Sequence, residues 1–357
     1  MKVAQVLAHI ETFAPLGLAL SWDNVGLLIG ERDWEVSKAF ICLDVSPNAV
    51  EEAIRNGCDL ILSHHPLIFR PIKGINNPLH LKLIMNHIAV ICLHTNLDVA
   101  QHSVNHVLAE KLELYVVDTL SSESGAKYQS ITVYTPPQAS ASICEAAWTA
   151  GAGRIGDFHH CSDSHPVEGS YQAGSKQMEA TTNAQETALH FMCDSMFLTG
   201  VLRAISSVHP YTTPLIIQHP VENVNPAYGL GLVGQYPQAI SIAELTEKVR
   251  RNLSCPQLKL WLAGHAPEHK VQRIAICGGS GGSLLSQACA KAELFISGDI
   301  SYHSFLDSSI PLIDAGHFYT EYPVLTYLHE QLAKIALPAL VMDMAAHEYS
   351  QNLRCFL

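Results

Sequence analysis

Charge is scarce in this 357-residue chain, and positive charge is the scarcer sign. Only 15% of residues are Asp, Glu, Lys or Arg, and 21 Lys and Arg face 33 Asp and Glu, a formal net charge of −12. That balance disfavours non-specific nucleic-acid binding, whose affinity comes largely from cationic contacts with phosphate. It leaves room for a local positive centre made by metal ions. No run reaches the roughly 18 apolar residues of a membrane span. The start, Met1 to Glu11, reads as an amphipathic helix without the apolar core and cleavage site of a signal peptide. The ten cysteines form no Cys-x-x-Cys, and Cys42, Cys92 and Cys277 lie inside apolar runs. Buried free thiols in a reducing cytosol explain them better than disulfides or a thiolate zinc site. A cytoplasmic chain with no membrane association is expected.

What is present is apolar patterning. Hydrophobic residues make up 48% of a chain longer than one core usually serves, so two domains are expected. In the first part, Lys38 to Asp44 reads as a strand, and Ser46-Pro47 as an N-cap and first helical position, with Asn56-Gly57 as the stop. Leu60 to Ser63 is the next strand and runs into His64-His65-Pro66; Ile88 to Leu93 is a third, followed by His94 to Asp98 and a helix. The last third repeats the course. Val271 to Cys277 is a strand, Gly278 to Ser283 turns into a helix ending near Lys291, Leu294 to Ser297 is a strand ending in Gly298-Asp299, and Ile310 to His317 leads into a final helix. The expected architecture is therefore α/β, with two related α/β halves (residues 1–125 and 233–357) forming one core whose strand ends face one cleft.

The segment between, residues 126–232, reads differently. Tyr128 to Tyr134 alternates like a strand, Ala141 to Ala150 reads as a helix, Thr187 to Cys193 as a strand, Phe197 to Ser207 as a helix and Pro214 to Val221 as a strand. A β-α-β-β-α-β order predicts an inserted ferredoxin-like α+β domain. His159, His160, Cys161 and His165 could bind metal, but their spacing matches no standard zinc pattern, which favours plain polar strand and loop residues.

Two adjacent imidazoles at the end of a buried parallel strand stand where α/β proteins place their sites. Successive side chains in extended backbone diverge, so His64 and His65 suit two centres sharing a cavity. Asp98 follows another buried strand, where a carboxylate is costly unless solvated, paired or coordinating. His317 and Glu321, four apart in a first helical turn, share a face. Three imidazoles and two carboxylates suit two divalent transition-metal ions (zinc, iron, manganese, cobalt or nickel) better than calcium or magnesium. Five side chains do not saturate two ions, so water or substrate completes the shell, as in catalytic sites. Two divalent ions against two carboxylates leave about +2, which attracts a small anion such as a phosphate ester. His94, Asp299 and His303 are candidate proton carriers or partners of the ligand imidazoles, with Asp314 beside them. The glycine run Gly278 to Gly282 reads either as amides open to a phosphate or as a closely packed turn.

Ser21 to Gly30, Ser63-His64-His65-Pro66-Leu67-Ile68-Phe69, His94-Thr95-Asn96-Leu97-Asp98, Gly278 to Leu284, Gly298 to His303 and Asp314-Ala315-Gly316-His317 together resemble the Ngg1-interacting-factor-3-like proteins. These are dinuclear metal-centre hexameric proteins often named GTP cyclohydrolase 1 type 2 homologues. The resemblance puts the family's metal ligands on His64, His65, Asp98, His317 and Glu321. It implies a toroidal homohexamer and, as the named reaction, ring-opening of GTP. Through Ala150 to Gly156 and Val208-His209-Pro210-Tyr211, the insert is similar to trimeric signalling proteins of the nitrogen-regulatory type; Ser175 to Gln185 is less like the family. A dinuclear metal hydrolase is thus expected, with a non-catalytic metal-binding scaffold or regulator as the alternative.

Overall fold

Leu60–Ser63 is a strand buried along its whole length, at the middle of a five-stranded sheet. The sheet runs Gly26–Ile29, Ala89–Cys92, Leu60–Ser63, Ala39–Cys42, Ala339–Val341, antiparallel at the first pairing and parallel at the rest. Three of these strands are fully buried runs, the composition of parallel strands covered on both faces. In the computed structural model the described residues are 1–122, 127–171, 182–225, 227–347 and 349.

A six-stranded sheet follows the same plan. Its order is Lys259–Trp261, Leu312–Asp314, Leu294–Gly298, Lys270–Ser280, Leu230–Ser241, Tyr115–Ser121. The three central strands are parallel and the others antiparallel. Both sheets belong to one compact unit, Met1–Ser124 with Tyr228–Leu357. Tyr228 to Leu232, expected in the insert, lie in this unit, because Leu230 already pairs with Ser121. The expected start of the insert at residue 126 lies outside the described residues.

The helix Pro47–Arg55 starts as its sequence predicts. Ser46 Oγ accepts from Ala49 N at 3.2 Å, Pro47 takes the first position, and Gly57 closes the end at φ +65°. The predicted single last helix is two. His317–Glu321 is separate from Val324–Lys334, with Pro323 between them, which has no N–H to continue the ladder. Lys270–Ser280 also runs further than predicted, through Gly278 and Gly279, before the short turn Gly282–Leu284.

The second unit, Gly125–Ala227, has one four-stranded antiparallel sheet. In chain order it runs strand Lys127–Thr135, helix Ser140–Thr149, strands Ser162–Tyr171 and Thr182–Asp194, helix Leu198–Val208 and strand Ile216–Val224. The strands lie second, third, first, fourth across the sheet, the split β-α-β arrangement of ferredoxin-like units. Ile131, Val133, Leu189 and Phe191 pack with Ile143, Ala147, Val201 and Ile205 of the helices as its core. Of the stretch Ser175 to Gln185, only 182–185 are among the described residues. No helix among the described residues is long and apolar enough to cross a membrane.

Candidate metal centre

The parallel strands of both sheets end at one place. In the first sheet, Ile41, Leu62 and Ile91 are in register, so Leu43-Asp44, His64-His65 and His94 leave the same edge. In the second, Ile276, Ile296 and Ile313 are in register, so Gly278, Asp299 and His317 leave the matching edge. The two edges meet: His65 Nε2 is 3.0 Å from Glu321 Oε2 and 3.3 Å from His317 Nε2. His317 and Glu321 share a helical face as predicted, with Nε2 and Oε2 3.1 Å apart.

Each imidazole is anchored through Nδ1. His64 Nδ1 is 2.7 Å from the Leu93 carbonyl, His65 Nδ1 is 2.8 Å from Asp44 Oδ1, and His317 Nδ1 is 2.8 Å from Asp299 Oδ2. A carbonyl or carboxylate partner makes Nδ1 the donor, which leaves the Nε2 lone pairs aimed inward. The fully buried His64 has no hydrogen-bond partner for Nε2 among the described residues. Glu321 Oε1 is 3.6 Å from it and Asp98 Oδ1 3.8 Å, beyond hydrogen-bond length. An orphaned buried nitrogen is costly, and a cation between these atoms satisfies it. Two donors bound at about 2.0–2.1 Å at a tetrahedral angle lie about 3.3–3.4 Å apart, the separation found between His65 and His317. The residues therefore fit a divalent transition ion, and His64, His65 and Glu321 form one metal-competent group.

The electrostatics match. Burial opposes a charge on His65 and His317, but the carboxylates of Asp44, Glu321 and Asp299 outweigh it and raise them to about 10 and about 9. Burial likewise opposes ionisation of Glu321, yet the three imidazoles hold its carboxyl well below its usual range. Asp98 goes the other way, because burial raises it and Glu321 adds to the repulsion. This constellation asks for positive charge near Glu321 and Asp98. A cavity of about 480 Å³ opens onto it, lined by Trp22, His94, Asp98, Asn105, His317 and Glu321 among others.

The family model described as Duf34/NIF3 (NGG1p interacting factor 3) matches residues 1–352. The chain belongs to the DUF34/NIF3 family. A Listeria innocua protein named GTP cyclohydrolase 1 type 2 homolog is 33% identical over 336 residues, covering 89% of each chain. A Staphylococcus aureus protein of the same name is 31% identical over 336 residues, covering 90% of each. The solved structure of a Bacillus cereus protein related to NIF3 matches with a TM-score of 0.81 at 27% identity, over 98% of each chain.

In this DUF34/NIF3 chain the candidate residues are placed unequally. His64, His65, His317 and Glu321 converge, and Asp98 stands beside His64 on the short helix Thr95–Val99. His94 lines the cavity with Nδ1 held 2.9 Å from Asp23 Oδ1. Asp299 stands behind His317 as its support, not at the cavity wall. His303 is apart from the group, exposed on the helix Tyr302–Asp307 with its ring against Tyr302. Asp314 is buried against Lys259 and accepts from Gly316 N.

The glycine run is decided in favour of close packing. Gly278 N donates to Asn105 Oδ1, Gly279 N to Thr320 Oγ1 and Gly281 N to Ser297 Oγ, so these amides are spoken for. Gly279 has φ +63°, and a Cβ there would land on Glu321 Oε1. Sequence reasoning missed Asp23, Asp44, Asn105 and Thr320. Asp44 carries the same mark as Asp98, a carboxylate just past a buried strand; the other three carry none that separates them from ordinary polar residues. The Asp23 side chain is covered; burial opposes its charge, but bonds from His94 and Thr95 bring its carboxyl down to about 2.

Proposed function

We propose that the chain is a metal-dependent hydrolase using two divalent transition-metal ions on a small anionic substrate. The observation that carries this is three Nδ1-anchored imidazoles from two sheets converging on one buried carboxylate. His64, His65, Asp98, His317 and Glu321 would hold the ions. When bound, such ions supply Lewis acidity and a water acidified toward neutral pH. The chain's own residues do the rest. The Leu93 carbonyl, Asp44 and Asp299 hold the ring nitrogens in place. His94, fixed by Asp23, keeps its second nitrogen for carrying a proton at the cavity wall.

The substrate class follows from charge and shape. Two divalent ions against Asp98 and Glu321 leave about +2, which draws a phosphate-bearing molecule. At the cavity rim the exposed Trp22 ring lies 5.8 Å from Phe69, giving a base a flat apolar face. A nucleotide fits both, and the relatives' name makes GTP ring-opening with loss of formate the reaction to try first. We further propose a cytoplasmic homohexameric toroid. Tyr115, Val116 and Val117, exposed on an edge strand, favour burial against another subunit.

The second reading is a metal-binding regulator. It draws on the second unit, which has its own cavity of about 720 Å³ lined by Tyr134, Val167, Tyr171, Glu186, Tyr211 and Leu215. The test is metal-reconstituted protein offered GTP and a phosphoester panel, beside His64→Ala and Glu321→Gln. Turnover lost in both variants supports the hydrolase. Turnover surviving both discredits the site, and none with any metal favours the regulator.

A further inference from the structure

We infer that the second unit holds a metal site of its own, made by Asp163, His165 and His190. It lies on the face of the four-stranded sheet turned away from the helices. Leu189 and Phe191 point into the core, so His190 between them points out. Across the sheet His190 pairs with Asp163 on one side and Thr132 on the other, and His165 is two residues beyond Asp163 on the same face. One ligand atom from each of Asp163, His165 and His190 falls within 4.8 Å of the others.

The details suit coordination. His190 Nδ1 is 3.0 Å from the Thr132 hydroxyl, which can accept its proton and so leave Nε2 as the ligating nitrogen. That Nε2 lies 3.3 Å from His165 Nδ1. Two nitrogens on one tetrahedral zinc are about 3.3–3.4 Å apart, so the pair is already at chelating distance. The rings are nearly parallel, at 17° with centroids 5.0 Å apart. Asp163 adds a hard, negative donor directly opposite His190. All three sit on strands, which fix ligand positions better than loops do. Asp163 and His165 are exposed and His190 is half-buried, so an ion reaches the site directly from solvent, beside a cavity of about 380 Å³ that Asp163 and His190 help to line.

Two imidazoles and one carboxylate select a borderline divalent ion such as zinc, nickel or copper(II) over calcium or magnesium. Three protein donors leave at least one position for water or another ligand. His165 and His190 are 25 residues apart in the chain, so strand register and not sequence spacing brings them together. This site is independent of the centre built by His64 and Glu321, and the two are separable by variants.

The test uses the full-length chain stripped with chelator and reloaded with zinc. We expect His165→Ala/His190→Ala to hold one zinc fewer per chain than the parent. We also expect His64→Ala/Glu321→Gln to keep the zinc that the first pair of changes removes. Thr132→Val, which only frees His190 Nδ1, should weaken that zinc about 10–100-fold while leaving the circular dichroism unchanged. As a second readout, the ring-proton resonances of His165 and His190 should shift on adding zinc to the His64→Ala/Glu321→Gln chain. An equal zinc count with and without His165 and His190, or ring resonances unmoved at millimolar zinc, overturns the site.

Discussion

The two sheets of the larger unit share the arrangement of four strands and distribute their chemistry differently. In each, an antiparallel edge strand is followed across the sheet by three parallel strands in reverse chain order. Leu62 and Ser63 correspond to Ile296 and Ser297, so His64-His65 in one half stand where Gly298-Asp299 stand in the other. The short helices Thr95–Val99 and His317–Glu321 also correspond. The first half delivers two imidazoles from its middle strand and a carboxylate from its helix. The second delivers both of its groups from the helix, and its middle strand retreats. A Cβ on Gly298 would lie 2.5 Å from His317 N, and Asp299 serves only to hold His317. A shared buried frame thus tolerates exchange of the few residues past each strand end, and those residues make up the candidate metal centre.

The comparison makes Glu321 the pivot between the halves. Glu321→Ala should destabilise the metal-free protein by about 3 kcal/mol, because it strands the buried His64 and removes the carboxylate that the half-buried His65 and His317 face. Urea unfolding at neutral pH measures this, and a loss no larger than that of His64→Ala would remove the pivot. Gly279→Ala should come next, at about 1–3 kcal/mol with loss of bound zinc, since the new methyl displaces the Glu321 carboxylate. Retained zinc in that variant would show that the second half yields more easily than its packing indicates.

The two supporting carboxylates offer a matched pair. Asp44→Asn and Asp299→Asn should each weaken metal binding about 10–100-fold by freeing one imidazole nitrogen. Isothermal titration with zinc compares them directly, and unequal losses would rank the halves. A further effect is in the pH profile. His65 and His317 are raised from 6.5 to about 10 and about 9, so their support of the metal-free fold is complete below about pH 6.5. It should fade as pH climbs through those two values, and zinc should abolish the fading by taking the protons' place. Melting temperatures of stripped and zinc-loaded protein across this range decide the matter.

Much of this was legible in the chain. Buried strands announced themselves by length and apolarity, and Ser46-Pro47 and Asn56-Gly57 gave the ends of a helix. His64, His65, His317 and Glu321, which converge, and Asp98 beside them were readable as candidates because each follows a buried strand or shares a helical turn. Other features depended on tertiary register. Ala339–Val341 is only three residues long and joins Ala39–Cys42 from the far end of the chain. Asp23 looks like any surface carboxylate until His94 is placed beside it, whereas Asp44 could have been singled out by its place just past a buried strand. His190 sits in an alternating strand, and only the pairing of Thr182–Asp194 with Ser162–Tyr171 brings Asp163 to it. The glycine run was ambiguous for the same reason, since Asn105, Thr320 and Ser297 take its amides from three separate stretches.

The chain leaves the six-stranded sheet at Ser121 and rejoins it at Leu230, and those two residues are paired neighbours on adjacent antiparallel strands. Everything between them therefore hangs from the tip of a hairpin. Closing such a gap costs little chain entropy whether the excursion is four residues or a whole folded unit. A tight turn joining Ser121 to Leu230 should leave the parent sheet's ladder whole, so excising what lies between asks directly whether the host folds without its graft.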